Sequence, residues 1–153
     1  MDDTPAHLIQ RAREASRHAH APYSRFAVGA AVLLADGSVV TGANFENASY
    51  GLSLCAETVA LATVSAQGRL ADVVAIGVIG GGMDADGRAT GETPVLPCGR
   101  CRQVINEAAQ IAGRDVAVHC GSAEGTAMRS FTVSELLPHA FGPADLGIAP
   151  RGR

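Results

Sequence analysis

Residues Val73 to Ile79, Val-Val-Ala-Ile-Gly-Val-Ile, form an unbroken apolar run of strand length. A strand with one wet face would alternate apolar with polar, so this run fits a central strand covered on both faces. The rest of the chain must therefore supply two covering layers. Thr4 to about His20 predicts a helix, with Thr4 as cap, Pro5 at the first helical position, and Leu8, Ile9, Ala12, Ala15 and Ala19 on one face. From Phe26 to Leu34 the period changes to two, Asp36-Gly37 is a hairpin turn, and Ser38 to Asn44 reads as the returning strand. Cys55 to about Gln67 predicts a second helix ended by Gly68, and Gly99 to about Ala112 a third. Two more strands follow, at Val116 to Cys120 and near Arg129 to Val133, and then a turn of helix capped by Ser134. Gly80 to Thr93 holds five glycines and no periodicity, which predicts a long exposed loop. This order of elements predicts a three-layer α/β/α fold with a mixed five-stranded sheet.

A chain of 153 residues suits one domain, taken here as 1–153, with the tail from about residue 146 expected to move freely. Net charge is −3, and all twelve basic residues are Arg. An acidic balance argues against nucleic acid as partner, since a polyphosphate calls for a basic face. No stretch approaches the roughly eighteen apolar residues of a membrane span, and Met1-Asp2-Asp3 is acidic where a signal peptide would be basic. The expectation is a cytoplasmic protein without membrane contact. There Cys55, Cys98, Cys101 and Cys120 stay reduced, which favours a metal or catalytic role over disulfides.

Two motifs carry chemistry: Cys55-Ala56-Glu57 at one predicted helix start, and Pro97-Cys98-Gly99-Arg100-Cys101 at another. Unpaired N–H groups and the dipole at a helix N-terminus favour a thiolate. Cys98 and Cys101, one turn apart, can reach a single ion, and Cys55 completes a set of three. Three protein ligands leave a tetrahedral position open, as in catalytic zinc sites, and Glu57 is placed to touch what fills it. Two other readings of the cysteines stay open: a thioredoxin-like redox pair, and a closed structural site using Cys120 or His119 as fourth ligand. His7, His18, His20 and His139 lack metal-like spacing, and Arg11, Arg13 and Arg17 read as a solvated helix face.

Cys-x-Glu followed by Pro-Cys-x-x-Cys resembles the zinc deaminase signature. Further segments are similar to the small homotetrameric cytidine deaminases: Ala21 to Phe26, Val28 to Ala31, Gly42 to Gly51, Cys98 to Gln103, Glu135 to Pro138 and Phe141 to Pro143. The resemblance implies a cytidine-deaminase-like fold and hydrolytic deamination of cytidine and 2′-deoxycytidine, with one Zn²⁺ per chain held by Cys55, Cys98 and Cys101. It makes Glu57 the proton shuttle, taking a proton from the zinc-bound water that attacks C4 and delivering it to N3 and the departing amine. It further implies that Asn44 and Glu46 bind the ribose, that Phe26 packs on the base and that the Ala56 N–H meets the pyrimidine O2. Ala48, Tyr50 and Phe141 would enter a neighbour's site.

Three departures stand out. Many family members have Arg after the catalytic Glu, where it offsets the surplus charge of three thiolates; here that residue is Thr58. Arg100 and Arg102 are expected to compensate, and the smaller Thr58 is expected to leave room for N4-substituted cytidines. Phe45 and the segment from Gly80 to Thr93 also depart from the family pattern. Blasticidin S deaminases share a similar Pro-Cys-Gly-Arg-Cys-Arg-Gln segment and are the alternative; Asn44 with Glu46 favours a nucleoside, because groups built to bind hydroxyls penalise a ligand without them. A zinc-stabilised binding module without catalysis and a polynucleotide editor are the remaining readings.

Overall fold

The computed structural model describes residues 5–148. Helix α1 (Pro5–Ser16) precedes a hairpin of β1 (Phe26–Leu34) and β2 (Val39–Ala43). Then come α2 (Ala56–Ala66), β3 (Val73–Gly82), α3 (Gly99–Ala112), β4 (Ala117–Ser122), β5 (Met128–Thr132) and the short α4 (Val133–Leu136). The sheet order is β2-β1-β3-β4-β5. Strands β3 and β4 run parallel, and every other neighbouring pair is antiparallel. A parallel pair needs a crossover, which α3 provides.

The apolar run is the middle strand, and its side chains divide between two cores. Ala75 and Ile79 pack with Leu8, Ile9 and Ala12 of α1, whereas Ile76 and Val78 join the core under α2 and α3. The mixed α/β sheet predicted from the sequence is therefore present, with helices on both faces. Close approach sets how the helices sit. A Cβ at Gly29 would collide with the Ala12 carbonyl, and one at Gly42 would stand 2.6 Å from both Ala56 O and Ala60 N. Gly42 thus seats the first turn of α2 directly on β2.

Several boundaries differ from the sequence reading. Gly80, Gly81 and Gly82 continue β3 opposite Val28, Ala27 and Phe26, so the predicted long loop begins later. A glycine strand has no side chains from which a period could be read. The remainder folds into a small turn, in which Met83 bridges Ala89 and Asp84 Oδ1 accepts from the N–H groups of Asp86 and Arg88, both at 2.9 Å. Helix α1 stops at Ser16 and not near His20, because the His20 N–H donates to Asn44 O at 3.0 Å and its carbonyl accepts from Glu46 N at 2.8 Å. The proposed Thr4 cap lies outside the described residues. Thr132, not Ser134, caps α4: its N–H donates to Glu135 Oε2 at 2.7 Å, while the Ser134 hydroxyl donates to Asp115.

Helix α3 also holds the C-terminal segment. Gln103 and Asn106 both donate to the Phe141 carbonyl, and Gln110 Oε1 accepts from Ala144 N. A short 3-10 turn, Pro143–Leu146, follows. The part of the expected tail beyond residue 148 lies outside the described residues. Among these residues, no helix is long and apolar enough to cross a membrane.

Candidate active site

Helices α2 and α3 start side by side, each with a cysteine as N-cap. Cys55 and Cys98 hold extended backbone (φ −74°, ψ 153° and φ −66°, ψ 170°) and lead into the first turns; Cys101 is the third residue of α3. The three sulfurs lie within 4.8 Å of one another, and those of Cys55 and Cys98 are 3.8 Å apart. Four-coordinate zinc with Zn–S near 2.3 Å requires sulfurs about 3.8 Å apart. The donor set fits that ion, since thiolates at two helix N-termini suit a soft divalent metal.

The thiols are not equivalent. Hydrogen bonding from Cys101 lowers Cys55 to about 6, against its own burial and the Glu57 charge. The same partnership, then burial and Glu57, pushes the Cys101 thiol up. Cys55 therefore takes negative charge first. Glu57, 3% exposed, is pushed up by burial, with a bond to Cys101 acting the other way. A cavity of about 290 Å³ joins Cys55, Cys98 and Glu57 to Asn44 and Glu46. Phe26, Val28, Leu54, Val78, Val95 and Leu96 form its apolar wall.

Residues 3–120 match the sequence model of the cytidine and deoxycytidylate deaminase zinc-binding region. The chain belongs to that deaminase family. A cytidine deaminase of Halalkalibacterium halodurans is 48% identical over 91% of this chain and 95% of its own. One from Mycobacterium tuberculosis is 42% identical over 100% and 99%. A crystal structure of cytidine deaminase from Burkholderia pseudomallei superposes with a TM-score of 0.77 at 40% identity, covering 90% of this chain and 99% of that one. The zinc-binding region of the family includes all three clustered cysteines.

Within this deaminase fold, Cys55, Cys98, Glu57, Phe26, Asn44 and Glu46 share one cavity. Asn44 also has a structural role: Oδ1 accepts from Val28 N at 2.9 Å and Nδ2 donates to Phe26 O at 2.8 Å, so its amide pins the start of β1. One amide hydrogen and one lone pair remain for a ligand. Burial alone would raise the Glu46 carboxyl, but N–H and hydroxyl bonds from Ser24 and the N–H of Tyr23 hold it below its ordinary value. Ala56 is buried at the first position of α2, where its N–H has no intrahelical acceptor. Ala48, Tyr50 and Phe141 lie outside the main cavity on the surface, with Tyr50 73% and Phe141 61% exposed. Tyr50 lines an adjoining hollow that shares Glu46 and Ser53 with that cavity.

Arg100 donates to Ser53 O at 3.3 Å, and its charge favours the Cys55 thiolate. Arg102 donates to Pro97 O at 2.9 Å and to Leu136 O at 3.0 Å. Thr58 does not line the cavity. The closed-site alternative is not assembled. His119 follows Ala117 on the α1 side of the sheet and bonds Ser130 Oγ at 2.8 Å, while Cys120, buried in the core under α2 and α3 and pushed up to about 11 by burial, is not among the sulfurs that gather with Cys55. Sequence reasoning missed Leu54, Val95 and Leu96 as cavity residues. Their one signal is that each lies within three residues of a clustered cysteine. Arg25, immediately before Phe26, has a φ of 56°, rare for a residue with a side chain.

Proposed function

We propose that the chain catalyses the hydrolytic deamination of cytidine and 2′-deoxycytidine: nucleoside plus water gives uridine or 2′-deoxyuridine plus ammonia, a step of pyrimidine salvage. The observation that carries this reading is the buried Glu57 carboxyl opening on the same cavity as the Cys55 and Cys98 sulfurs. Exchanging an amine for an oxygen at one carbon needs a group that takes a proton from water and returns it to the base and the leaving amine. Glu57, pushed up by burial, can hold that proton between the two transfers. Zinc, when bound by Cys55, Cys98 and Cys101, supplies the Lewis acid that makes a water acidic at neutral pH. Phe26 packs on the base, the Ala56 N–H meets the pyrimidine O2, and Asn44 with Glu46 binds the ribose hydroxyls. Arg100 and Arg102 act through space, offsetting the surplus negative charge of three thiolates on a divalent ion.

The same reading makes 1–153 one catalytic domain of a cytoplasmic homotetramer, in which Ala48, Tyr50 and Phe141 complete a neighbouring subunit's site. The exposed rings of Tyr50 and Phe141 support this, because large apolar groups at a surface gain from cover. The net charge of −3 supports a small nucleoside over a nucleic acid. The test is ammonia release from cytidine, 2′-deoxycytidine, an N4-substituted cytidine and blasticidin S, with Glu57→Gln as control. Turnover of the plain nucleosides, lost in the variant while zinc is retained, is expected. A zinc-loaded wild type that leaves both plain nucleosides untouched overturns the proposal.

A further inference from the structure

Helix α2 contains two threonines, and their hydroxyls have different partners. Thr63 donates back to the Val59 carbonyl at 2.8 Å, the usual arrangement for a helical Thr. Thr58 makes no such bond. The carbonyl four residues before it, Leu54 O, accepts from Phe45 N, and the Thr58 hydroxyl lies 4.0 Å from the Cys101 sulfur. Cys101 is fully buried. The two guanidinium groups nearest in sequence are engaged by carbonyls: Arg100 by that of Ser53, Arg102 by those of Pro97 and Leu136. Among the described residues, no guanidinium lies within hydrogen-bond reach of a ligand sulfur, and Thr58 is the hydroxyl that does.

In the metal-free chain either partner of the Thr58–Cys101 contact can supply the proton. A sulfur bound to metal has lost its proton and can only accept. Metal loading therefore fixes the direction of the bond, with Thr58 as donor. We propose that Thr58 is a positioning residue of the zinc centre, whose hydroxyl donates to the Cys101 thiolate and draws electron density from that buried sulfur. Three thiolates on a divalent ion leave an excess negative charge. Arg100 and Arg102 reduce it from a distance; Thr58 reduces it by direct contact at the ligand farthest from solvent. The inference rests on the metal site and not on the identity of the substrate.

The test compares Thr58→Val, which keeps the branched shape and removes the donor, with Thr58→Ala and with Thr58→Ser, which keeps the donor. Zinc affinity is read by competition with a chromophoric chelator, and the sulfur-to-metal charge-transfer band is read in the cobalt(II)-substituted protein. Second-sphere partners of metal ligands are worth about ten- to a hundredfold in affinity. Thr58→Val and Thr58→Ala should bind zinc about tenfold more weakly and shift the cobalt band to lower energy, because a thiolate without its donor gives up charge more easily. Thr58→Ser should keep both properties close to wild type. If Val fails to fold, the Ala and Ser pair carries the test. Unchanged affinity and band position in a donor-less variant, or a loss in Thr58→Ser as large as in those variants, overturns the proposal. Loss of deaminase activity against every nucleoside would leave these metal readouts intact, so failure of the functional reading and of this one are distinguishable.

Discussion

Helices α2 and α3 open on the same plan, and the positions at which they differ define the site. Each has a cysteine N-cap, Cys55 in one and Cys98 in the other. At the second helical position α2 carries the buried Glu57 and α3 the exposed Arg100. At the third, α2 carries Thr58 and α3 carries Cys101, and these two side chains meet. Two matched starts with four cysteines would supply four sulfurs, a closed set suited to a structural ion. One threonine in place of the fourth leaves three sulfurs, and a carboxyl one residue earlier on the same helix faces the cavity.

The sharpest way to break this comparison is to exchange the second position of each helix in turn. Glu57→Gln should lower kcat by about a thousandfold with zinc content unchanged, as expected when a proton carrier is removed. Arg100→Gln should lower zinc affinity only a few-fold. Steady-state rates and metal analysis on both variants check the pair, and equal losses would show that the second positions are not specialised.

Acidification probes the sulfurs. Cys55, lowered to about 6, competes with no proton above that pH, whereas Cys101, raised, must release one on metal binding throughout the neutral range. Zinc affinity should therefore fall as pH falls, with a slope that steepens below about 6, where each added proton costs about tenfold per pH unit. Chelator competition between pH 8 and 5 measures it; a flat profile would remove the asymmetry between the thiols.

Gly42→Ala acts on one helix start alone. The added methyl would press on Ala56 O and Ala60 N, moving the first turn of α2 relative to α3. We expect a loss of about 1–3 kcal/mol in denaturant unfolding, together with weaker zinc binding. The smallest effect belongs to the β1–β2 turn, remote from both starts. Asp36 is lowered to about 2 by hydrogen bonds from Ser38 and by Arg69, so its stabilising contribution is present above the ordinary value of 3.8 and is lost as pH falls toward 2. Asp36→Asn should lower Tm slightly at pH 6, the difference closing by about pH 2, with zinc binding unaltered.

Much of this arrangement is legible in the residues themselves. Val73 to Ile79 reads as a doubly covered strand because both faces need apolar side chains, and the three cysteines that cluster announce themselves through motif spacing. What stays hidden depends on contacts between distant segments. Gly80 to Gly82 pair as strand with no side chain to signal it. Asn44 looks like a ligand-binding amide, yet two of its hydrogen bonds hold β1, which is visible only once Phe26 and Val28 lie beside it. The partners of Arg100 and Arg102 are backbone carbonyls, and carbonyls leave no trace in residue identity.

The separation of Cys55 from Cys98 has a consequence for biosynthesis. Between them the chain forms α2, crosses the sheet as β3 and returns to start α3, a sequence distance of 43 residues. A nascent chain emerging from the ribosome presents one sulfur early and the other two only after β3 has been made. Closing so long a loop is slow compared with forming either helix. We expect metal capture to follow insertion of the central strand, so that zinc uptake during refolding lags the signal of sheet formation.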